Sequence, residues 1–319
     1  MRTPMNDNDE GAKPAHDSDD LVQLAADALH LVLAPAVGGS VAALYDEQDG
    51  QRFDWLRPAT ADALAAHDLF AMASFPLLPW CNRLRDGRAH VAGRDIAIAP
   101  GHPAGPSGRH PLHGIGWRKP WQVAQASPTR AELVLSVEAD AQWPWRFEAS
   151  QLFELDATGL RCTVTLTNRD TTPMPAGIGH HPYFPHRAGT WLSADTAAMW
   201  RGDREVMPVA LEPTPEVALL REGVQLDVLD LDNNFTGWKR EARIEWPTAL
   251  RALVMTAEAP LDFFVLYCPS GADHFCAEPV SQCTDAFNLW GRHGPGELGG
   301  TLLAPGASLS GRWALLPQR

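Results

Sequence analysis

Apolar residues fall at every second position in a series of short runs, and most runs stop at Gly, Pro, Asn or Asp. The plainest case is residues 147–155, a break of Asp-Ala-Thr-Gly, and then residues 160–167. In the second run Leu160, Cys162, Val164 and Leu166 share one face, and Arg161, Thr163, Thr165 and Thr167 share the other. A period of two with a polar opposite face predicts a strand in a sheet with one buried side. Residues 30–34 and 40–45, around Pro35 and the Gly38-Gly39 pair, predict a hairpin. Residues 122–126 and 132–139, around Ser127-Pro128, predict another. Runs at 243–246, 252–257 and 261–268 continue the pattern, and 299–304 and 308–316 close it around Pro305-Gly306. The Ala-rich stretch 60–67, opening on Thr60, predicts one short helix. No repeat of fixed period and no linker divides the chain after residue 28. The expected fold is all-β, one large antiparallel β-sandwich over residues 28–319.

A chain of 319 residues can bury a large core without disulfides or a structural metal. Residues 1–27 are Asp-rich with nothing to bury, so a short disordered acidic tail is expected there. The first residues hold no apolar stretch of the kind a secretory signal needs. With 39 acidic and 26 basic side chains the net charge is −13, which argues against a nucleic-acid or anionic-membrane partner. No apolar stretch approaches the roughly 20 residues of a membrane span. The five cysteines are odd in number and form no CxxC pair, which suits reduced thiols and a cytoplasmic location. Most are expected as small buried residues, with Cys81 set apart by its place in a polar motif.

Four segments place polar residues among aromatic and turn residues. In the segment 74–87, Asn82-Arg83 follows Trp80 and three turn-formers. Arg83 reads either as an exposed loop arginine or as a donor to a substrate oxygen. In the segment 112–117, His113 stands beside two glycines and reads either as a structural turn residue or as a group a ligand can approach closely. In the segment 177–184, His180 and His181 are adjacent and precede Pro182. Neighbouring strand residues point to opposite faces, so one working histidine is favoured over a two-histidine metal clamp. In the segment 275–281, Glu278 lies among apolar residues, either held in a salt bridge or with its pKa raised as a general base. GxSxG, a GxGxxG after a strand, and GxxxxGK[ST] are absent, as is the cupin metal pattern, so no metal or cofactor is expected. Twelve Trp against three Tyr lean toward a carbohydrate ligand, because apolar rings stack on the C–H faces of sugars.

These segments, in their order, resemble the aldose 1-epimerase (galactose mutarotase) family. The carrying pieces are Ala-Pro-Ala-Val-Gly-Gly at 34–39, Phe-Pro-Leu-Leu-Pro-Trp-Cys-Asn-Arg at 75–83 and His-Gly-Ile-Gly-Trp at 113–117. Gly-His-His-Pro-Tyr-Phe at 179–184, Leu-Asp-Asn-Asn-Phe-Thr-Gly-Trp at 231–238, Glu278-Pro279 and Trp143-Pro-Trp145 follow. The resemblance implies a galactose mutarotase-like supersandwich and cofactor-free interconversion of the α and β anomers of an aldose. It implies Glu278 as catalytic base and His181 as catalytic acid. It implies Arg83 and His113 on ring and hydroxyl oxygens, and Asp232 on sugar hydroxyls, with Asn82 and His180 as further substrate-binding candidates. His180 stands where galactose-specific members have Asn or another residue. Glu278 would deprotonate the C1 hydroxyl while His181 protonates the ring oxygen, and rotation about C1–C2 would precede reclosure. The implied partner is a monosaccharide, hexose or pentose, and the chain a monomer or homodimer. Two alternatives are a carbohydrate-binding sandwich without catalysis and a sugar-phosphate epimerase, for which Arg85, Arg88 and Arg109 would be the available cations.

Overall fold

The computed structural model describes residues 21–99 and 108–319. Residues 1–20, most of the segment read as an acidic tail, lie outside the described residues. The remainder of that segment differs from the expectation. Val22–Ala26 is a strand paired antiparallel with Leu29–Ala34, with Val22 and Leu24 buried. The sheet structure therefore begins ahead of residue 28. Its alternation is only five residues long and is masked in the sequence by the Asp-rich residues before it.

The strong alternations become long strands. Phe147–Asp156 and Gly159–Asn168 pair in unbroken register, with Leu160, Cys162, Val164 and Leu166 buried. Among the described residues they lie within a nine-stranded sheet. Its order is Val224–Gln225, Trp191–Ala194, Glu241–Trp246, Arg251–Ala257, Ser308–Gln318, Gly159–Asn168, Phe147–Asp156, Arg130–Val137 and Gln122–Ala126. A second, eight-stranded sheet runs Pro208–Glu212, Ala198–Gly202, Leu231–Thr236, Phe263–Cys268, His274–Val280, Gly179–His180 and Pro76–Leu77. Its eighth strand, Tyr183–Pro185, also pairs with His274–Val280. The first four strands, from Val22 to Asp54, form a smaller sheet. The helical stretch at 60–67 forms as Ala61–Ala65, with the Thr60 hydroxyl accepting the Ala63 N–H at 3.1 Å. A second helix, Pro215–Glu222, was not expected, although Thr214-Pro215 has the form of a helix start.

The eight-stranded sheet is covered on both sides, and this is what creates the site. On one face Phe235, Phe264, Leu266, Phe275 and Ala277 join Phe153, Cys162, Val164, Leu166 and Trp313 of the nine-stranded sheet in one apolar cluster. On the other, Val265, Cys276 and Val280 pack with Phe75, Leu77, Cys81, Trp117 and Tyr183 in a second cluster. A strand buried on both faces has no solvated side, so His274–Val280 shows no polar alternation. Glu278 falls on the second face, between Cys276 and Val280. All five cysteines are buried and unpaired. Among the described residues no helix is long and apolar enough to cross a membrane.

Candidate active site

Glu278 enters on the strand His274–Val280, and Gly179 lies directly opposite Val280 on the neighbouring strand. That neighbour is only two residues long, so His181 follows it immediately, with its N–H bonded to the Phe75 carbonyl at 3.0 Å. The result is His181 Nε2 standing 3.3 Å from Glu278 Oε1, with both side chains almost wholly buried. Phe75 and Tyr183 each stack on the imidazole, with centroids 4.8 and 4.7 Å away, and His113 meets it edge-on at 4.9 Å. These rings fix the plane of His181.

Arg83 is held on the other side of the site. Its Nη2 donates to Asp232 Oδ2 at 3.0 Å and its Nη1 to Asn82 Oδ1 at 3.1 Å. The Asn82 N–H donates to His113 Nδ1 at 3.2 Å, so the neutral His113 ring carries its proton on Nε2. Asn82 and His113 both adopt left-handed backbone, with φ of 57° and 62°. Such conformations are uncommon outside glycine and gather at functional sites. Gly114 continues the turn at φ 78°, where a Cβ would lie 2.0 Å from the Leu78 carbonyl oxygen. The chain behind Arg83 is clamped by Asp285, whose N–H donates to the Arg83 carbonyl and whose carboxylate accepts from the N–H and Nε of Arg85.

Together these residues line a cavity of about 270 Å³, bounded by Phe70, Asn82, Arg83, Leu112, His113, His181, Tyr183, Asp232, Tyr267 and Glu278. Small-molecule sites run from about 300 Å³ upward, so this open cavity lies at the lower end of that range. Three buried polar atoms of its lining, Arg83 Nε, His181 Nδ1 and Glu278 Oε2, have no hydrogen-bond partner among the described residues. Burial raises the pKa of Glu278 well above the usual carboxylate value; the Asp232 charge adds to the rise and Arg83 opposes it. Burial pushes His181 down to about 3, with Arg57 and His274 acting in the same direction. Desolvation is the largest cause of this shift.

Arg83, His113, His181, Asp232, Asn82 and Glu278 thus meet in one cavity. His180 does not. It faces the opposite side of the strand, is fully buried, and has both ring nitrogens engaged by Ser74 and Gln151. The alternation of a strand sends adjacent residues to opposite faces, so His180 cannot reach a ligand held by His181. Cys81 also lines no part of the cavity and packs in the apolar cluster beside it. Sequence reasoning missed Phe70, Leu112, Tyr183 and Tyr267 as lining residues, and Asp285 as a clamp. Tyr183 was present in the His-Pro-Tyr-Phe motif, whereas Phe70, Tyr267 and Asp285 carry no local signal. Among the described residues no group of three or more His, Cys, Asp or Glu is placed to hold a metal ion.

The uncharacterized protein YphB of Escherichia coli K12 is 29% identical over 270 residues, covering 82% of this chain and 87% of that one. The crystal structure of a candidate aldose 1-epimerase from E. coli K12 superposes with a TM-score of 0.81 at 26% identity, over 94% of this chain and 99% of the other. A galactose mutarotase-like protein from Clostridium acetobutylicum, at 20% identity, shares the fold with a TM-score of 0.82 over 93% and 94% of the two chains. The family model for aldose 1-epimerase matches residues 20–315, and the chain belongs to the aldose 1-epimerase family.

Proposed function

We propose that the protein interconverts the α and β anomers of a free aldose by general acid–base ring opening and closure, without a cofactor. The observation that carries this reading is the 3.3 Å contact between His181 and Glu278 inside a small cavity also lined by Arg83, His113 and Asp232. The C1 hydroxyl oxygen and the ring oxygen are both bonded to C1. A base for one and an acid for the other must therefore stand side by side, within hydrogen-bond reach of the two oxygens. Glu278 takes the proton of the C1 hydroxyl and His181 gives one to the ring oxygen. The C1–O5 bond breaks, C1 becomes an aldehyde, rotation about C1–C2 turns its other face inward, and the reverse transfers close the ring. Arg83 and the Nε2–H of His113 supply fixed donors to oxygens on which charge builds.

Burial favours this chemistry in a specific way. Before ring opening the pair is carboxylate and imidazolium; after it, carboxylic acid and neutral imidazole. Both shifts, Glu278 upward and His181 downward, favour the second state. Desolvation therefore favours the double proton transfer, while the Arg83 charge opposes the rise at Glu278 and hydrogen bonds from bound sugar would support the carboxylate that precedes the transfer. An unphosphorylated substrate is supported by the arginines near the motifs. Arg85 is paired with Asp285 and Arg109 with Asp86, and neither they nor Arg88 line the cavity.

Polarimetry of freshly dissolved α-glucose and α-galactose tests the reading. Relaxation with the wild type should exceed the buffer rate, and Glu278→Gln should lose about 10²–10⁴-fold of that acceleration. No acceleration over buffer for any aldose would overturn it.

A further inference from the structure

We propose that His180 is a positioning residue for His181, acting with Ser74 and Gln151 as a hydrogen-bonded brace behind the strand; this rests on the anomer-interconversion reading above. The strand that presents His181 is very short, flanked by backbone bonds from the His181 and Tyr183 N–H groups to the Phe75 and Ala73 carbonyls at 3.0 and 2.9 Å. Gly179–His180 is two residues long, His180 lies opposite Pro76, and Pro182 follows. Neither proline has an N–H to give to a ladder.

The side chain of His180 adds a second tie to this short strand, from its rear face. The Gln151 amide N–H₂ donates to the Gly39 carbonyl at 2.9 Å, which leaves its Oε1 as the acceptor facing His180 Nε2 at 3.0 Å. His180 is therefore the Nε2–H tautomer, and its bare Nδ1 accepts from the Ser74 hydroxyl. The Ser74 carbonyl accepts the Val41 N–H at 2.8 Å, two residues from Gly39, so the circuit closes on itself. Gln151 belongs to the strand Phe147–Asp156 of the nine-stranded sheet, so the brace ties the two sheets together. The ring lies 4.7 Å from Trp313, in the apolar core, where a polar network is favourable only when its members are satisfied. All three side chains are fully buried and line no cavity at the site.

The consequence for the site is geometric. His181 and Phe75, the residues that follow His180 and Ser74, are stacked on each other on the front face, and the His181 N–H bonds to the Phe75 carbonyl. Locking the rear pair locks the front pair. Loss of the brace lets the imidazole move relative to Glu278, and a misplacement of about 1 Å can cost about 10²-fold in rate.

The test uses the full chain with Ser74→Ala, His180→Leu, His180→Asn and Gln151→Leu, reading steady-state anomer interconversion and ¹⁵N-histidine NMR. His180→Leu and Gln151→Leu should lower kcat about 10–100-fold with KM within about threefold of wild type, as expected for a misplaced acid in an otherwise intact pocket. His180→Asn, which keeps an acceptor for Ser74, should recover most of the lost rate. A folded His180→Leu with kcat within twofold of wild type overturns the proposal. If His180→Leu does not fold, Gln151→Leu and Ser74→Ala decide by the same criterion. If the wild type interconverts no anomers, the function fails separately, and the brace stands or falls on NMR. An Nε2–H signature for His180, with displaced His181 resonances in Gln151→Leu, supports it; unmoved His181 resonances overturn it.

Discussion

In the anomer interconversion proposed above, Glu278 and His181 would hold one proton between them, and their environments set the pH range over which that holds. A second proton enters only as pH falls toward the depressed value of His181, about 3, and the single proton leaves only above the raised value of Glu278. The plot of kcat/KM against pH should therefore show no step near about 6.5, where an ordinary histidine titrates. A clear inflection there, removed in His181→Asn, would count against the assignment. The same burial affects stability. His180 is also pushed down to about 3 by desolvation, with His181 adding to the effect. The unfolded chain binds a proton at each of these histidines near 6.5, whereas the folded one does so only near 3. Between those values the unfolded state holds more protons, so stability is complete above 6.5 and falls as pH drops. Each group contributes a loss of roughly 1 kcal/mol per pH unit over that window. Glu278 works in the opposite sense, costing stability as pH rises from its unfolded value toward its raised folded one. Thermal melts of wild type and His180→Gln between pH 4 and 7 should show the variant losing less stability on acidification.

The site is assembled from short, irregular elements braced by long regular ones. Asn82 and His113 each sit in left-handed backbone and bond to one another, and Gly114 completes the turn against Leu78. Gly114→Ala places a Cβ into the Leu78 carbonyl and forces an L-residue to positive φ, so it should destabilise by more than about 1 kcal/mol. It should also raise KM, because the His113 donor moves with the turn. Chemical denaturation alongside steady-state kinetics checks both effects, and an Ala variant with native stability and KM would contradict the close approach. The His-His motif shows how element geometry divides labour between neighbours. One histidine faces a ligand cavity and the next a hydrophobic core, a division set by the period of two.

Over the whole molecule, the eight-stranded sheet is packed on both faces, and this controls the chemistry of every thiol. Cys81, Cys162, Cys268, Cys276 and Cys283 are all buried, and burial raises the pKa of each. The native protein should react with none of them on the timescale of a thiol reagent such as DTNB, and with all five once unfolded. Rapid labelling of any cysteine in the native state would show that the packing around the site opens locally.

The alternating pattern by itself determined the long strands of the nine-stranded sheet, because one solvated face leaves a period-two record in the residues. Thr163, Thr165 and Thr167 opposite Leu160, Cys162 and Val164 are such a record. The residue types at the site were also legible: Arg83, His113, His181, Asp232 and Glu278 stand in motifs whose order resembles one family. Gly179–His180 was not legible as a strand, since two residues leave no period to read, and Leu231–Thr236 was not because its Asp-Asn-Asn run has the composition of a turn. Only the tertiary structure placed His181 on the cavity and turned His180 into the core. It alone paired Arg83 with Asp232, and it alone recruited Tyr267, Phe70 and Asp285. Those relations join residues up to 200 positions apart, as in Arg85 with Asp285, and local sequence carries no information about a contact that two packed sheets create.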